Sequence, residues 1–378
     1  MTNLQNYNDH ATWITLIDLK TNIMSDVNDD TDSSDNSLFS KLKDKMRTQK
    51  KHGFAMNFKQ VAMIPKVFSP RPVAMDDSNN NDTNPINETD DQDDDETEHS
   101  FRAPSDVKIS YTHQVILVSD YSNMKIYFFK YLEKTYVGSI GVDYPMYMCI
   151  EEKYNGLHDA LIFDSCSTLG TIFKFDLQQI LRTRDTSTFS KTSFIWKNND
   201  SKDPRGIALM RENGTNVLLV TEFTSNTVFL IHAQTGTTIQ KFTNLPIESP
   251  YAIDVVDRTV MIGEYNYGSS IFIYTLDKSM HDNRMVYSLN LVKKFRKAGD
   301  DGCNESCQGL VFDPMTQYVV CTDTDCRIQV FTLDGHCVKS MDTRIDENND
   351  NPDGLFIDEK TGELYLCSYY AACIRIYN

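Results

Sequence analysis

The chain has 378 residues, a formal net charge of −17 and 40% hydrophobic residues, which is enough apolar surface for the core of one large domain or two ordinary ones. The acidic balance argues against a nucleic-acid backbone as the main partner and leaves basic peptides and cations as candidates. No run approaches the roughly 18 to 20 apolar residues that cross a bilayer, so no membrane span is predicted.

The first 57 residues are predicted to be an N-terminal arm, mostly flexible, that contains one short basic helix. Ser37 can cap this helix, and its apolar positions Leu38, Leu42 and Met46 recur every fourth residue among several Lys and Arg. Two interpretations are open: a basic amphipathic element for an acidic surface or a partner groove, and a solvated helix without a partner.

Residues 71–100 are predicted to be an acidic, disordered tether. Residues 75–100 contain eleven Asp or Glu and no Lys or Arg. Such a segment cannot bury enough apolar surface to offset the entropy of ordering its backbone.

From residue 101 to the end, one short phrase recurs six times: a Pro, a small residue two positions later, and then an alternating apolar run. The closer copies begin at Pro204, Pro250, Cys307 (in place of the Pro) and Pro352, and looser copies begin at Pro104 and Pro145. The steps between these anchors are 41, 59, 46, 57 and 45 residues. A period of this length is typical of one supersecondary unit repeated in a propeller or solenoid.

Within each repeat the apolar pattern has a period of two, and turn residues separate about four short runs. Four strands in each of six units predict an all-β fold, a six-bladed β-propeller of four-stranded blades spanning 101–378. The sixth unit ends at Asn378 after its third strand, and an open ring would expose strand edges. Residues 58–70 are therefore predicted to supply the closing strand of the last blade, over 61–68, with Pro65 tolerated on an outermost strand.

The clearest unit resembles the NHL-repeat family of six-bladed β-propellers. Asp120 ends the second strand, Asn123 stands three residues later, and Lys125 and Ile126 follow, with a Pro anchor upstream. The resemblance implies that the strand-end acid accepts hydrogen bonds from backbone N–H groups of the following corner. It also implies a non-enzymatic platform that binds a protein or peptide on one face.

Propeller sites usually lie where loops converge around the channel on one face, and two groups of residues are candidates there. Carboxylates precede four of the anchors: Asp143, Asp203, Glu248 and Glu305. They form either an acidic collar able to hold Ca²⁺, because hard cations take several oxygen ligands, or solvated loop carboxylates that never converge.

An aromatic residue directly follows the second strand in four units. These residues are Tyr121, Phe223, Tyr265 and Tyr369, with Tyr267 and Tyr370 beside them. The position serves either as a recognition rim or as packing between blades. If the rings are exposed, aromatic side chains among carboxylates suit a peptide carrying Lys or Arg.

The leading hypothesis is a non-enzymatic, NHL-like propeller that binds a protein or peptide, with no cofactor required. The alternative on the same ring is a divalent-metal-dependent hydrolase or lyase, similar to propeller lactonases or amidating lyases.

The nine cysteines lack zinc-site spacing and are expected to be reduced thiols. Because residues 1–9 lack the features of a secretory signal, a cytoplasmic location is expected. The protein is also expected to be a monomer.

Overall fold

The computed structural model of the protein describes residues 51–68, 99–167, 170–183, 194–211, 215–266, 268–282, 284–296, 306–344 and 350–378. Within these residues the chain forms six four-stranded antiparallel sheets and one two-stranded sheet. The six larger sheets are the blades of a β-propeller, as the repeat predicts. The predicted basic helix and almost all of the predicted tether lie outside the described residues.

Three short strands precede the blades in the sequence, and the blades then follow in chain order. The first strands are β1 (Gln60–Ile64), β2 (Val67–Phe68) and β3 (His99–Ser100). Blade 1 contains β4 (Pro104–Ser110), β5 (Val115–Asp120), β6 (Lys125–Lys130) and β7 (Tyr136–Gly141). Blade 2 contains β8 (Pro145–Glu151), β9 (Ala160–Ser165), β10 (Thr171–Asp176) and β11 (Trp196–Asn198). Blade 3 contains β12 (Pro204–Met210), β13 (Val217–Glu222), β14 (Thr227–His232) and β15 (Thr238–Phe242).

The remaining three blades repeat this arrangement. Blade 4 contains β16 (Pro250–Val256), β17 (Thr259–Glu264), β18 (Ser270–His281) and β19 (Arg284–Arg296). Blade 5 contains β20 (Cys307–Asp313), β21 (Tyr318–Asp323), β22 (Arg327–Thr332) and β23 (Cys337–Asp342). Blade 6 contains β24 (Pro352–Ile357), β25 (Leu364–Ser368) and β26 (Cys373–Tyr377), together with β1.

The ring closes through the N-terminal strand. β1 pairs antiparallel with β26, with Ile64 opposite Ile374, and Ile64 is buried among apolar side chains of blades 1 and 6. This pairing confirms the predicted closure. The predicted extent, residues 61–68 as one strand, is wrong: β1 ends before Pro65, and β2 pairs with β3 instead. Proline has no N–H to donate to the ladder, so pairing stops where it enters the chain.

The glycines two positions after the anchors of blades 3 and 5 are required by the approach of neighbouring blades. A Cβ on Gly206 would lie 2.4 Å from the carbonyl oxygen of Tyr251, and a Cβ on Gly309 would lie 2.2 Å from that of Asp353. Both carbonyl groups belong to the innermost strand of the next blade. These two blades therefore keep a glycine where the adjacent innermost strands come closest.

Buried hydroxyl groups join alternate pairs of blades at the same level. The Thr221 hydroxyl accepts from the N–H of Gly206 (2.7 Å) and donates to the carbonyl of Tyr251 in the next blade (2.7 Å). Thr322 bridges blades 5 and 6 in the same way, and Ser119 bridges blades 1 and 2. Each hydroxyl serves as donor and acceptor at once, so it pairs with an N–H of its own blade and a carbonyl of the next.

Residues 51–58 lie along blades 5 and 6. Phe54 is 1% exposed and packs among apolar side chains of both blades. Its N–H donates to Oδ2 of Asp313 (2.8 Å), and the N–H of His52 donates to the carbonyl of Glu359 (2.7 Å). Residues 51–57 belong to the predicted arm, and in the structure the burial of Phe54 and hydrogen bonds from backbone N–H groups hold them against these blades.

Two local elements depart from the plain repeat. The helix α1 (Leu177–Arg182) is inserted between β10 and β11, where Asp176 caps it by accepting from the N–H of Gln179 (3.0 Å). β18 and β19 form a hairpin of 12 and 13 residues that is much longer than the other outer strands. No helix in the described ranges has the length and apolar character needed to cross a bilayer.

Candidate binding face at the channel mouth

One end of the channel is surrounded by the residues that directly follow the second strand of each blade. A repeated backbone hydrogen bond positions the aromatic ones: the N–H donates to the carbonyl of the residue before the anchor. The bonds join Tyr121 to Ala103, Phe223 to Asp203, Tyr265 to Ser249 and Tyr369 to Asn351, at 2.9 to 3.0 Å. We call the aromatic side chains at this end the mouth face; they are Tyr121, Tyr144, Phe223, Tyr265, Tyr369 and Tyr370.

The strand-end acids hold the loops of this face in place. Asp120 accepts from the N–H groups of Arg102 (2.8 Å) and Ala103 (3.1 Å) in the incoming loop, and from the N–H of Asn123 (3.0 Å) in the following corner. The bond to the corner was implied by the family resemblance, whereas the bonds to the incoming loop were not. In blade 6 the strand ends at Ser368, and Asp350 of the incoming loop accepts from its hydroxyl (3.1 Å).

The centre of the mouth is closed by side chains of the anchors themselves. The Tyr147 hydroxyl lies 2.7 Å from Oδ1 of Asp353 and 2.9 Å from the carbonyl oxygen of Gln308, so blade 2 reaches blades 5 and 6. The Tyr147 and Tyr251 rings meet edge to face with centroids 5.7 Å apart. Burial raises the pKa of Asp353 to about 7, although the hydrogen bond from Tyr147 opposes this shift.

Sequence reasoning missed this closure, although a signal for it is visible in the repeat. The residue directly after each anchor varies from blade to blade, and in blade 2 the following position carries Tyr147 where blades 3 to 6 carry Gly or Ala. The residues directly after the anchors are Ser105, Met146, Arg205, Tyr251, Gln308 and Asp353. A variable residue inside an otherwise regular phrase is where individual function or packing is expected.

Arg205 is the positively charged residue among those that directly follow the anchors. Its guanidinium group lies over the rings of Phe223 (5.6 Å) and Tyr251 (5.7 Å) and pairs with Oδ1 of Asp203 (2.9 Å). Nη1 lies 3.0 Å from Sδ of Met146 and 3.4 Å from Sγ of Cys166. The aromatic residues of blades 3 and 4 thus already hold a positive charge from the chain itself.

The predicted aromatic positions combine packing with exposure. Tyr121, Phe223 and Tyr265 are half-buried and pack around Tyr147 and Tyr251. By contrast, Tyr370 is 66% exposed and Tyr144 is 40% exposed. Tyr369 contacts the ring of Tyr370 at 5.3 Å. Tyr267 lies outside the described residues.

The carboxylates of the predicted acidic collar differ in exposure and in partners where the structure describes them. Asp143 and Glu248 are exposed, and Asp203 is engaged by Arg205 and by the hydroxyl of Thr224 (2.7 Å). Glu305 lies outside the described residues. Over the parts of the chain that the structure describes, no group of three or more His, Cys, Asp or Glu side chains is arranged to hold a metal ion.

Below the closure, the channel widens into a cavity of about 360 Å³ lined by the innermost strands of all six blades. Lys108 donates to both carboxylate oxygens of Asp106 (2.6 and 2.7 Å). Asp254 accepts from the N–H groups of Val255 and Phe312 (both 2.8 Å). Burial raises the pKa of both carboxyl groups. The alternating pattern of these strands did not reveal the charges inside the channel.

The fold and the mouth face together define a closed, six-bladed β-propeller with an aromatic surface around a filled channel entrance. A similar solved structure is that of the β-propeller domain of Cps50 (Swd1) from Myceliophteria thermophila, with a TM-score of 0.52 and 10% sequence identity. The similarity covers 73% of this chain and 96% of that one, and at this identity it concerns the fold alone. No family model matches the chain, and no curated protein is significantly similar to it.

Proposed function

We propose that the protein is an NHL-like β-propeller that binds a protein or peptide partner on the mouth face and does not catalyse a reaction. The observation that supports this proposal is the exposure of Tyr370 and Tyr144 on a rim that repeated backbone hydrogen bonds hold in place. Tyr side chains provide large contact area at low entropic cost, and they are enriched in protein interfaces. A rigid rim of this kind loses little conformational freedom when it binds.

The shape of the entrance favours binding over chemistry. Tyr147 and Tyr251 fill the centre, so the mouth face is shallow where a substrate pocket would have to be deep. The Asp120 and Asn123 geometry supports the likeness to NHL repeats, since the acid fixes both loops at once.

The proposal includes a monomeric protein that works in the cytoplasm. Eight cysteines of the described residues are free thiols, and six of them are buried: Cys149, Cys307, Cys321, Cys326, Cys367 and Cys373. Thiols persist in reducing compartments, which is consistent with this location.

Selection of a random-peptide phage library against the full chain tests the proposal. We expect selected peptides to lose affinity on Tyr144→Ser combined with Tyr370→Ser, and to slow amide hydrogen exchange in residues 121–124 and 369–371. Leu132→Ser is the matched control, because Leu132 is 74% exposed at the opposite end of the ring. Peptides that bind the double variant as well as the unaltered protein would contradict the proposal.

A further inference from the structure

Arg205 shows which chemical group the mouth face accommodates. Its guanidinium carbon lies within 6 Å of the centres of two aromatic rings, and its Nη2 lies 2.9 Å from Oδ1 of Asp203. The Arg205 side chain is 23% exposed. Cation–π attraction and a charge-assisted hydrogen bond act together in this arrangement. The chain's own residue thereby displays the features of a site for an arginine side chain.

A second arrangement of the same kind lies between blades 1 and 2. The rings of Tyr121 and Tyr144 have centroids 5.2 Å apart and are inclined by 47°. Asp143 is adjacent to Tyr144 and exposed, and it forms no ion pair with any residue in the described ranges. Two aromatic rings are therefore in contact here, and the residue next to one of them carries an exposed carboxylate.

The chain supplies no cation to this second arrangement from the equivalent position. Blade 1 carries Ser105 where blade 3 carries Arg205, and the Ser105 hydroxyl donates to the carbonyl of Ala103 (3.1 Å). The serine is too short to extend over the rings. The space that Arg205 occupies in blade 3 has no corresponding long side chain in blade 1.

We propose that an arginine of the partner binds over Tyr121 and Tyr144 and pairs with Asp143. This inference rests on the proposed function, because it names the recognition chemistry of the same face. Arginine fits better than lysine, since its planar guanidinium stacks on a ring while offering a fork of donors to a carboxylate. The net charge of −17 also attracts a basic segment over longer distances.

The test uses peptides selected from the random-peptide phage library against the full chain. We expect them to contain arginine, and we expect replacement of that arginine by citrulline to lower affinity roughly tenfold. Asp143→Asn should lower affinity by a similar factor, and the two changes together should cost little more than either alone, because they remove the same interaction. Tyr144→Leu should also weaken binding while keeping an apolar side chain at the position.

Asp257→Asn is the matched control, because Asp257 is an exposed acid at the opposite end of an innermost strand. Binding that depends on Tyr370 but is unchanged by citrulline or by Asp143→Asn would overturn this inference and leave the proposed function standing. If no selected peptide depends on the mouth face, both this inference and the proposed function are contradicted. Unchanged thermal unfolding of the Asp143 and Tyr144 variants ensures that lost affinity reports on binding.

Discussion

At the scale of single residues, the joints between blades depend on hydroxyl groups that satisfy two blades at once. Thr221 is fully buried and contacts the N–H of Gly206 and the carbonyl of Tyr251. Valine has almost the same shape but neither donates nor accepts. A buried backbone group left without a partner costs more than the net value of a hydrogen bond.

Thr221→Val is therefore expected to lower the free energy of unfolding by about 1 to 3 kcal/mol. Urea denaturation of the full chain measures the change. Thr243→Val is the control, because Thr243 is exposed and the same substitution there should have little effect. Equal stability of the two variants would mean that the hydroxyl bridge adds nothing to cohesion between blades.

The small residue of the anchor gives a second prediction at this scale. In Gly309→Ala the added Cβ would lie 2.2 Å from the Asp353 carbonyl oxygen, so the innermost strands of blades 5 and 6 must separate. We expect a loss of about 1 to 3 kcal/mol in the free energy of unfolding, as for other overpacked cores. Gly141→Ala is the control, because a Cβ there meets nothing within 4 Å. An equal loss of stability in both variants would contradict the prediction, because Gly→Ala lowers the entropy of the unfolded chain and by itself favours the folded state.

The sequence predicted where the mouth-face residues lie but not what they contact. Tyr121, Phe223, Tyr265 and Tyr369 follow the same strand in each repeat, so one face was expected for all of them. The contact between Tyr147 and Asp353 spans 206 residues and crosses the channel. Periodicity reports which side of a strand a residue occupies, and it carries no information on partners across a ring.

At the scale of elements, closure by β1 follows from the need to cover an open edge. Ile64 is 1% exposed against blades 1 and 6, while the adjacent Met63 is 45% exposed on the outer surface. This pairing was predicted because an open ring would leave strand edges exposed. It did not predict α1, the long β18 and β19 hairpin, or the docking of residues 51–58, because no repeat position corresponds to them.

Substitution of the closing strand tests whether it holds the ring together. Ile64→Ala should lower the free energy of unfolding by about 2 to 5 kcal/mol, because a cavity remains between two blades. Met63→Ala removes a comparable side chain from the exposed side of the same strand and should change stability by less than about 0.5 kcal/mol. Chemical denaturation monitored by tyrosine and tryptophan fluorescence compares the two. If both variants unfold at the same denaturant concentration, β1 is not part of the cooperative unit.

At the scale of the whole molecule, the ring concentrates carboxyl groups around its channel, and this makes stability depend on pH. Burial raises the pKa of Asp353 to about 7 from its usual 3.8, and the nearby Asp106 acts in the same direction. Between these values the folded protein keeps a proton that the unfolded chain releases. The free energy of unfolding therefore falls as the pH rises from about 4 to about 7.

Asp353→Asn should remove this part of the pH dependence. The amide oxygen can still accept the hydrogen bond of Tyr147, while no charge forms in the closed mouth at neutral pH. Between pH 5 and pH 8 the variant should lose less stability than the unaltered protein, by on the order of 2 kcal/mol. Urea denaturation across this range measures the difference, with Asp257→Asn as an exposed control. Parallel pH profiles for the unaltered protein and Asp353→Asn would show that Asp353 is already ionised in the folded ring, and that Tyr147 and Arg205 compensate its burial.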